Sequence, residues 1–266
     1  MDKIRLLALD IDDTIVDSSL VISERNIAAI NAAFDKGIKI VLCTGRGYYA
    51  TRAVRQSLNV SDYLVCFGGA YIVKKDDGAI MYSHAVDSED VVNTLKAAYS
   101  LGLHAQIYQG DAVIFREENE FTKIYTSFLT LPFEVVPDLL ERRYHNVPKV
   151  LVYSPPEHEQ ENIKKLRKLI PDRLHILSSK PGFIEIGEDK ATKGQALKWI
   201  AKQWGISQNN VAAIGDNTLD LDMIEWAGCG CCVANGNPVV KAQANMILPS
   251  CKEDGVAYFI ENFILR

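Results

Sequence analysis

The stretch Ile4-Arg5-Leu6-Leu7-Ala8-Leu9-Asp10-Ile11-Asp12-Asp13-Thr14 decides the reading of this chain. An apolar run of strand length ends abruptly in carboxylates, and open parallel sheets bind their ligands outside the carboxyl ends of their strands. Asp10 and Asp12, first and third after the run, therefore project toward a cleft. Two such carboxylates are costly unless a divalent metal ion, a shared proton or both compensate them, and an aspartate so placed can attack phosphorus. Taken alone, the same residues also read as an acidic turn containing a threonine.

Three further islands follow apolar or helical runs in a fixed order. Residues 38–43 lead into Thr44-Gly45-Arg46-Gly47, where a hydroxyl and free backbone N–H groups at the expected start of a helix over 47–58 suit an anion. Lys193-Gly194 opens a helical pattern (Ala196, Leu197, Ile200, Ala201) and supplies a cation with little bulk beside it. Residues 211–214 run into Gly215-Asp216-Asn217-Thr218-Leu219-Asp220, a second acidic strand end.

The first 67 residues alternate strand and helix, which predicts a parallel sheet wound by helices. Ser23 caps a helix whose apolar residues Ile27, Ile30 and Phe34 keep helical spacing, and residues 71–84 read as a hairpin turning at Asp76-Asp77-Gly78. Between about 85 and 185 the texture changes to two blocks of a helix followed by strands, as in an α+β unit on an antiparallel sheet. The expected fold is therefore α/β: a doubly wound parallel-sheet (Rossmann-like) core made of 1–84 and 187–266, with an inserted α+β cap over 85–186.

Composition narrows the function classes. With 266 residues, 48% hydrophobic and 24% charged, the chain has the profile of an ordinary globular protein. A net charge of −5 argues against nucleic acid as a partner. No run approaches the 18 or more apolar residues of a membrane span, and the start has no secretory leader pattern, so a cytoplasmic location without a membrane partner is expected. The six cysteines do not form a disulfide framework and are expected to be reduced and mostly buried. The five histidines, at 84, 104, 145, 158 and 175, avoid all four islands, which weighs against Ser-His-Asp, Cys-His and zinc chemistry.

The ordered set, Asp10 and Asp12, then Thr44, then Lys193, then Asp216 and Asp220, resembles the haloacid dehalogenase (HAD) superfamily of phosphohydrolases. Ala227-Gly228, the run from Val233 to Lys241 and Glu253-Asp254-Gly255-Val256-Ala257 resemble the C-terminal signature of its Cof-type subfamily, whose large cap lies between the Thr and Lys motifs. The resemblance implies a phosphatase acting on a small phosphorylated metabolite, a sugar phosphate or similar, through an aspartyl-phosphate. It implies Asp10 as nucleophile and Asp12 as acid and then base. It further implies Mg2+ on the side chains of Asp10 and Asp216 and the carbonyl of Asp12, phosphate oxygens on Thr44 and Gly45, and Lys193 balancing their charge. Asp220, Asn217 and Arg46 are implied as supporting residues, and the cap as a gate that reads the leaving group, with Arg116, Lys149, Lys180 and Phe183 as candidate contacts. The chain departs from the family pattern at Asp13, where Gly is frequent, and at Gly68 and Leu219, where Asn is usual. A phosphomutase of the same superfamily and a catalytically weak phosphate-binding module are the alternatives.

Overall fold

The structure, a computed structural model, describes residues 3–17, 21–110, 112–128 and 132–266. It divides into two compact units, Met1–Tyr82 with Thr192–Arg266, and Ser83–Ala191.

The first unit begins with β1 (Leu6–Leu9), α1 (Glu24–Asp35), β2 (Lys39–Leu42), α2 (Arg52–Ser57), β3 (Tyr63–Cys66), β4 (Tyr71–Lys74) and β5 (Ile80–Ser83). The second unit runs α3 (Ser88–Ser100), β6 (His104–Gln109), β7 (Ala112–Phe115), α4 (Glu120–Phe128), β8 (Phe133–Val135), β9 (Val150–Tyr153), α5 (Glu159–Arg167), β10 (Leu174–Lys180) and β11 (Phe183–Glu188). The chain then returns to the first unit with α6 (Lys193–Gln203), β12 (Val211–Gly215), α7 (Leu221–Trp226), β13 (Cys229–Val233), α8 (Pro238–Gln243), β14 (Met246–Leu248) and α9 (Gly255–Phe263).

The central sheet of the first unit is parallel, in the order β14-β13-β12-β1-β2. All four residues of β1 are fully buried, as a continuous apolar run requires when helices cover both faces of a parallel sheet. Its register sets Leu9 between Ile214 and Leu42, so residues that follow β1, β12 and β2 emerge at one end. Because β1 is paired with a strand some 200 residues away on one side and with its own successor on the other, this end is the topological switch point of the sheet. β3 joins beyond β2 through a parallel bridge from Val65 to Cys43, then pairs antiparallel with β4, beyond which lies β5.

Ser23 caps α1 by accepting from the Asn26 N–H, as the sequence predicts. The buried stripe differs: Asn26, Ala29, Ile30 and Ala33 face inward, and Ile27 and Phe34 are half-buried. Small residues face in because α1 packs closely on α9, where the Asn26 Oδ1 accepts the Ala257 N–H at 2.9 Å.

The second unit is a six-stranded sheet, β10-β11-β9-β6-β7-β8, antiparallel except where β7 meets β8. Leu95 and Ala98 of α3 and Leu166 of α5 pack on Ala105, Ile107, Val150, Val152, Ile184 and Ile186, the residues of one sheet face. The return to the first unit comes after Ala191, not at residue 187. Phe183–Glu188 is a full strand bonded to β9 and β10, and the Ala191 N–H still closes a turn onto the Glu188 carbonyl. Among the described residues no helix is long and apolar enough to cross a membrane.

Candidate active site

The parallel register brings four islands of the sequence to the carboxyl end of the central sheet. Asp10 leaves β1 with its N–H bonded to the Ile214 carbonyl at 3.0 Å. Asp216 follows β12, Thr44 follows β2, and Lys193 is the first residue of α6, whose cap Thr192 accepts from the Gln195 N–H. Asp10, Thr44, Lys193 and Asp220 are all buried.

Lys193 lies between two carboxylates. Its Nζ donates to Asp10 Oδ1 and to Asp220 Oδ1, both at 2.6 Å. Asp220 Oδ2 accepts the N–H groups of Asp216 and Asn217 at 3.1 and 3.0 Å. Asp220 therefore binds the strand end that carries Asp216 to the helix that carries Lys193. Asn217 is occupied locally, its side chain accepting the Asp220 N–H to close a one-turn capping box.

Carboxylate oxygens of Asp10, Asp216 and Asp220 lie within 4.8 Å of one another. Burial and the neighbouring Asp220 push the Asp10 carboxyl up to about 7, against the pull of Lys193. Burial and the charges of Asp10 and Asp220 push Asp216 up to about 8. Burial works against the Lys193 charge, but the two carboxylates outweigh it and hold the ammonium above its ordinary range. One cation among two buried carboxylates and a half-buried third leaves negative charge in excess, and hard oxygen donors in that number suit a divalent ion.

Asp12 sits in a tight turn after β1, joined by a parallel bridge to Val16, with the Asp13 N–H on the Val16 carbonyl. Both oxygens of its carboxylate are gripped by Arg46, Nη2 to Oδ1 at 2.7 Å and Nε to Oδ2 at 2.9 Å. Asp13 has φ 58, a left-handed conformation that Gly adopts freely and that Asp tolerates better than most residues. That accounts for a residue other than Gly at this turn.

The loop after β2 departs from expectation. No helix starts at residue 47; a 3-10 turn at Tyr49–Thr51 precedes α2 at Arg52. The backbone of the loop is tied instead to the end of β3: Thr44 N–H to Val65, Gly68 N–H to Thr44 and Phe67 N–H to Arg46. Thr44 Oγ1 accepts the Arg46 N–H at 3.1 Å, which leaves its own hydrogen to donate. The Thr44 and Arg46 N–H groups of the loop are thus both taken up within the protein. Gly68 has φ 67, a conformation also open to Asn, with nothing within 4 Å of where a Cβ would sit.

Three further residues brace the site, of which only Asp222 escaped the sequence reading. Asp222 accepts the Gly194 N–H at 2.9 Å, fixing the first turn of α6, and burial raises its carboxyl above the usual range. A Cβ on Gly194 would come within 2.5 Å of that carboxylate, which is why a residue without bulk follows the lysine. Thr14 directs its hydroxyl to Asp216 Oδ1 at 3.4 Å, and Asn235 ties the Asp13 carbonyl to the Cys251 N–H. Asp222, two residues beyond Asp220, and Gly194 were the visible signals for α6; Asn235 stands in the Val233–Lys241 run, but its partners Asp13 and Cys251 are remote in sequence.

All six cysteines are free and buried, as expected, and all five histidines fall outside the unit that carries Asp10. In the second unit Lys149 is no free contact. Its Nζ is paired with Glu185 at 2.8 Å and lies 5.5 Å from the Tyr108 ring centroid. Arg116 lies over the Tyr99 ring, Lys180 is exposed, and Phe183 packs with Phe121 and Tyr153.

Comparison with known proteins gives a consistent answer. The family described as haloacid dehalogenase-like hydrolase matches residues 7–260. YxeH of Bacillus subtilis strain 168 is 32% identical, with 98% of each chain covered. The 5-amino-6-(5-phospho-D-ribitylamino)uracil phosphatase YitU of the same organism is 28% identical over 97% of each chain. A haloacid dehalogenase-like hydrolase from Bacteroides thetaiotaomicron superposes with a TM-score of 0.87 at 25% identity, covering 97% of this chain and 99% of the other. Matched over nearly its whole length by one family and by full-length relatives, the chain belongs to the haloacid dehalogenase-like hydrolases.

Proposed function

We propose that this phosphatase hydrolyses phosphate monoesters of small metabolites, sugar phosphates or similar, through an aspartyl-phosphate on Asp10, with Mg2+ as cofactor. The observation that carries the reading is the buried row Asp10, Lys193 and Asp220, joined by two 2.6 Å contacts with Asp216 close by. An excess of buried carboxylate at the switch point of a parallel sheet makes a poor structural core but a good receiver for a cation and a phosphoryl group.

The side chains of Asp10 and Asp216, with the Asp12 carbonyl, would hold the ion. Bound there, a divalent cation supplies positive charge for the phosphoryl oxygens. Lys193 holds Asp10 Oδ1, so Oδ2 meets phosphorus. The bond from Asp10 to phosphorus forms as the bond to the leaving oxygen breaks, and Asp12 gives that oxygen its proton. Asp12, now a carboxylate, takes a proton from water as the water oxygen bonds to phosphorus and the Asp10 bond breaks, releasing inorganic phosphate. Thr44 Oγ1 and the Gly45 N–H donate to nonbridging oxygens, and Lys193 offsets their charge.

The test is phosphate release from a panel of phosphorylated metabolites, with and without Mg2+, by the native chain and Asp10→Asn. The panel should include hexose phosphates, pyridoxal phosphate and 5-amino-6-(5-phospho-D-ribitylamino)uracil, the compound in the name of the relative YitU. Mg2+-dependent release that Asp10→Asn abolishes is the expected result. Release that survives Asp10→Asn refutes the aspartyl nucleophile, and isomerised sugar phosphate without free phosphate supports a mutase.

A further inference from the structure

Arg46 is the cation of the site that touches neither Asp10 nor Asp216; its side chain crosses from the loop after β2 to the loop after β1. Nη2 and Nε grip both oxygens of Asp12, and Nη1 donates to the Ala50 carbonyl at 3.3 Å. The base of the arginine is fixed from both sides. Its N–H lies on Thr44 Oγ1 and its carbonyl receives the Phe67 N–H at 2.9 Å. Phe67 is itself held at φ 51, and its ring presses on Gly47, where a Cβ would come within 2.6 Å of it. Asp12, by contrast, stands on a turn with its side chain 41% exposed. A carboxylate on such a turn samples several rotamers unless something holds it. Exposed ion pairs usually do little, but a planar fork on a rigid base, meeting a carboxylate in two parallel bonds, is the geometry that fixes direction.

We propose that Arg46 is a positioning residue that aims the Asp12 carboxylate at the reacting oxygen, and that it affects the rate only through Asp12. The inference rests on the aspartyl-phosphate reading above. It sets Arg46 apart from Thr44 and Lys193, which serve the phosphoryl group itself. Three of the guanidinium's donor positions are already spent on Asp12 and Ala50, so the arrangement suits holding a carboxylate better than holding a phosphate.

The test is a double-mutant cycle. The native chain, Arg46→Gln, Arg46→Lys, Asp12→Asn and Arg46→Gln/Asp12→Asn are compared with Mg2+ and the best alkyl phosphate of the panel above, whose alkoxide cannot leave without a proton. Steady-state release of inorganic phosphate, which requires both half-reactions, gives kcat and KM for each variant, and thermal melting confirms that each is folded. Arg46→Gln is expected to lower kcat by roughly ten- to a hundredfold, the weight of a charged hydrogen-bond pair, with KM changed less than about twofold. Arg46→Lys, which keeps the charge and loses the fork, should recover part of kcat. In the Asp12→Asn background, Arg46→Gln should change the rate by less than about twofold.

Losses that multiply in the double variant overturn the inference. So does a KM that rises together with the inhibition constant for inorganic phosphate, which marks a direct phosphate contact. If Arg46→Gln does not fold, the same cycle run with Arg46→Lys decides by the same criterion. A native chain that is inactive, or an Asp12→Asn variant as active as the native chain, defeats the parent reading and this one with it. Multiplying losses in an active enzyme that needs Asp12 defeat only this one.

Discussion

Without a bound divalent ion, the stability of the unit carrying Asp10 should fall as pH rises from about 5 to 8, and Mg2+ should remove that fall. Asp10 and Asp216 are both raised from ordinary values near 3.8, to about 7 and about 8, first by burial and then by the carboxylates around them. Below pH ~4 folded and unfolded chains are both protonated at these sites, and the groups have no effect on stability. Between the ordinary and the raised values the unfolded chain has lost protons that the folded chain retains, so stability drops with rising pH and levels off past ~8. At about 1.4 kcal/mol per unit, one group raised by roughly three units contributes a loss of about 4 kcal/mol. The second adds less than its own shift, because the two interact.

A loss of that size corresponds to roughly 10 °C in Tm for a chain of this length. The assay is thermal melting followed by circular dichroism across pH 5–8.5, in chelator and in excess Mg2+, for the native chain and for Asp10→Asn/Asp216→Asn. In chelator, Tm should fall with pH for the native chain and hold much flatter for the double variant. Excess Mg2+ should raise the native Tm most at high pH, where ion and proton no longer compete. A chelator curve that is flat or rises over this window, or one of the same slope in the double variant, would refute the claim that these carboxyls are held protonated by burial.

Lys193→Met leaves Asp10 and Asp220 buried without their shared cation; it should lower unfolding free energy in urea by about 3–5 kcal/mol and abolish phosphate release. Lys149→Met should cost a similar amount by stranding Glu185, and Lys149→Met/Glu185→Leu should recover most of it, because a matched apolar pair needs no compensation. Asp13→Gly should be nearly neutral in denaturant melts and Asp13→Val should lose about 1–2 kcal/mol, since a β-branched residue cannot rest at φ 58. Leu219→Asn should move stability by no more than about 0.5 kcal/mol, because Asp220 already braces the loop through the Asp216 and Asn217 N–H groups.

What could be read from the sequence was whatever repeats with the period of its element or stands next to it in the chain. The β1 run and the acids behind it, the Ser23 cap and the Lys193-Gly194 helix start are local signals, and each appears in the fold where its spacing puts it. The expected helix over 47–58 fails in its first turn for a non-local reason. The Thr44 amide and the Thr44 and Arg46 carbonyls just ahead of it are claimed by Val65, Gly68 and Phe67 at a neighbouring strand end, which no window on residues 44–58 contains. The inward stripe of α1 was misread for the same cause: α9, more than 200 residues later, selects Asn26, Ala29 and Ala33 over Ile27 and Phe34. The end of the inserted unit was placed a few residues early because the pairing that keeps Phe183–Glu188 in its sheet is with β9 and β10, not with anything adjacent.

The three departures from the family pattern share a physical logic. Asp13 and Gly68 occupy left-handed positions, where Gly, Asp and Asn are the residues that fit, so exchange among them changes chemistry without disturbing the turn. Leu219 withholds an amide from the loop after β12, but the acceptor that organises that loop is Asp220, and it has its donors in backbone N–H groups and Lys193. The substitutions therefore fall on residues that decorate the site, whereas the carboxylate and ammonium row that holds its charge is built from the fold's own register. If that row is the catalytic element, restoring the amides at 68 and 219 should alter substrate preference more than it alters the rate on a simple aryl phosphate. A panel assay of Gly68→Asn/Leu219→Asn against the native chain separates the two: a large gain on the aryl phosphate itself would mean that the row alone does not suffice.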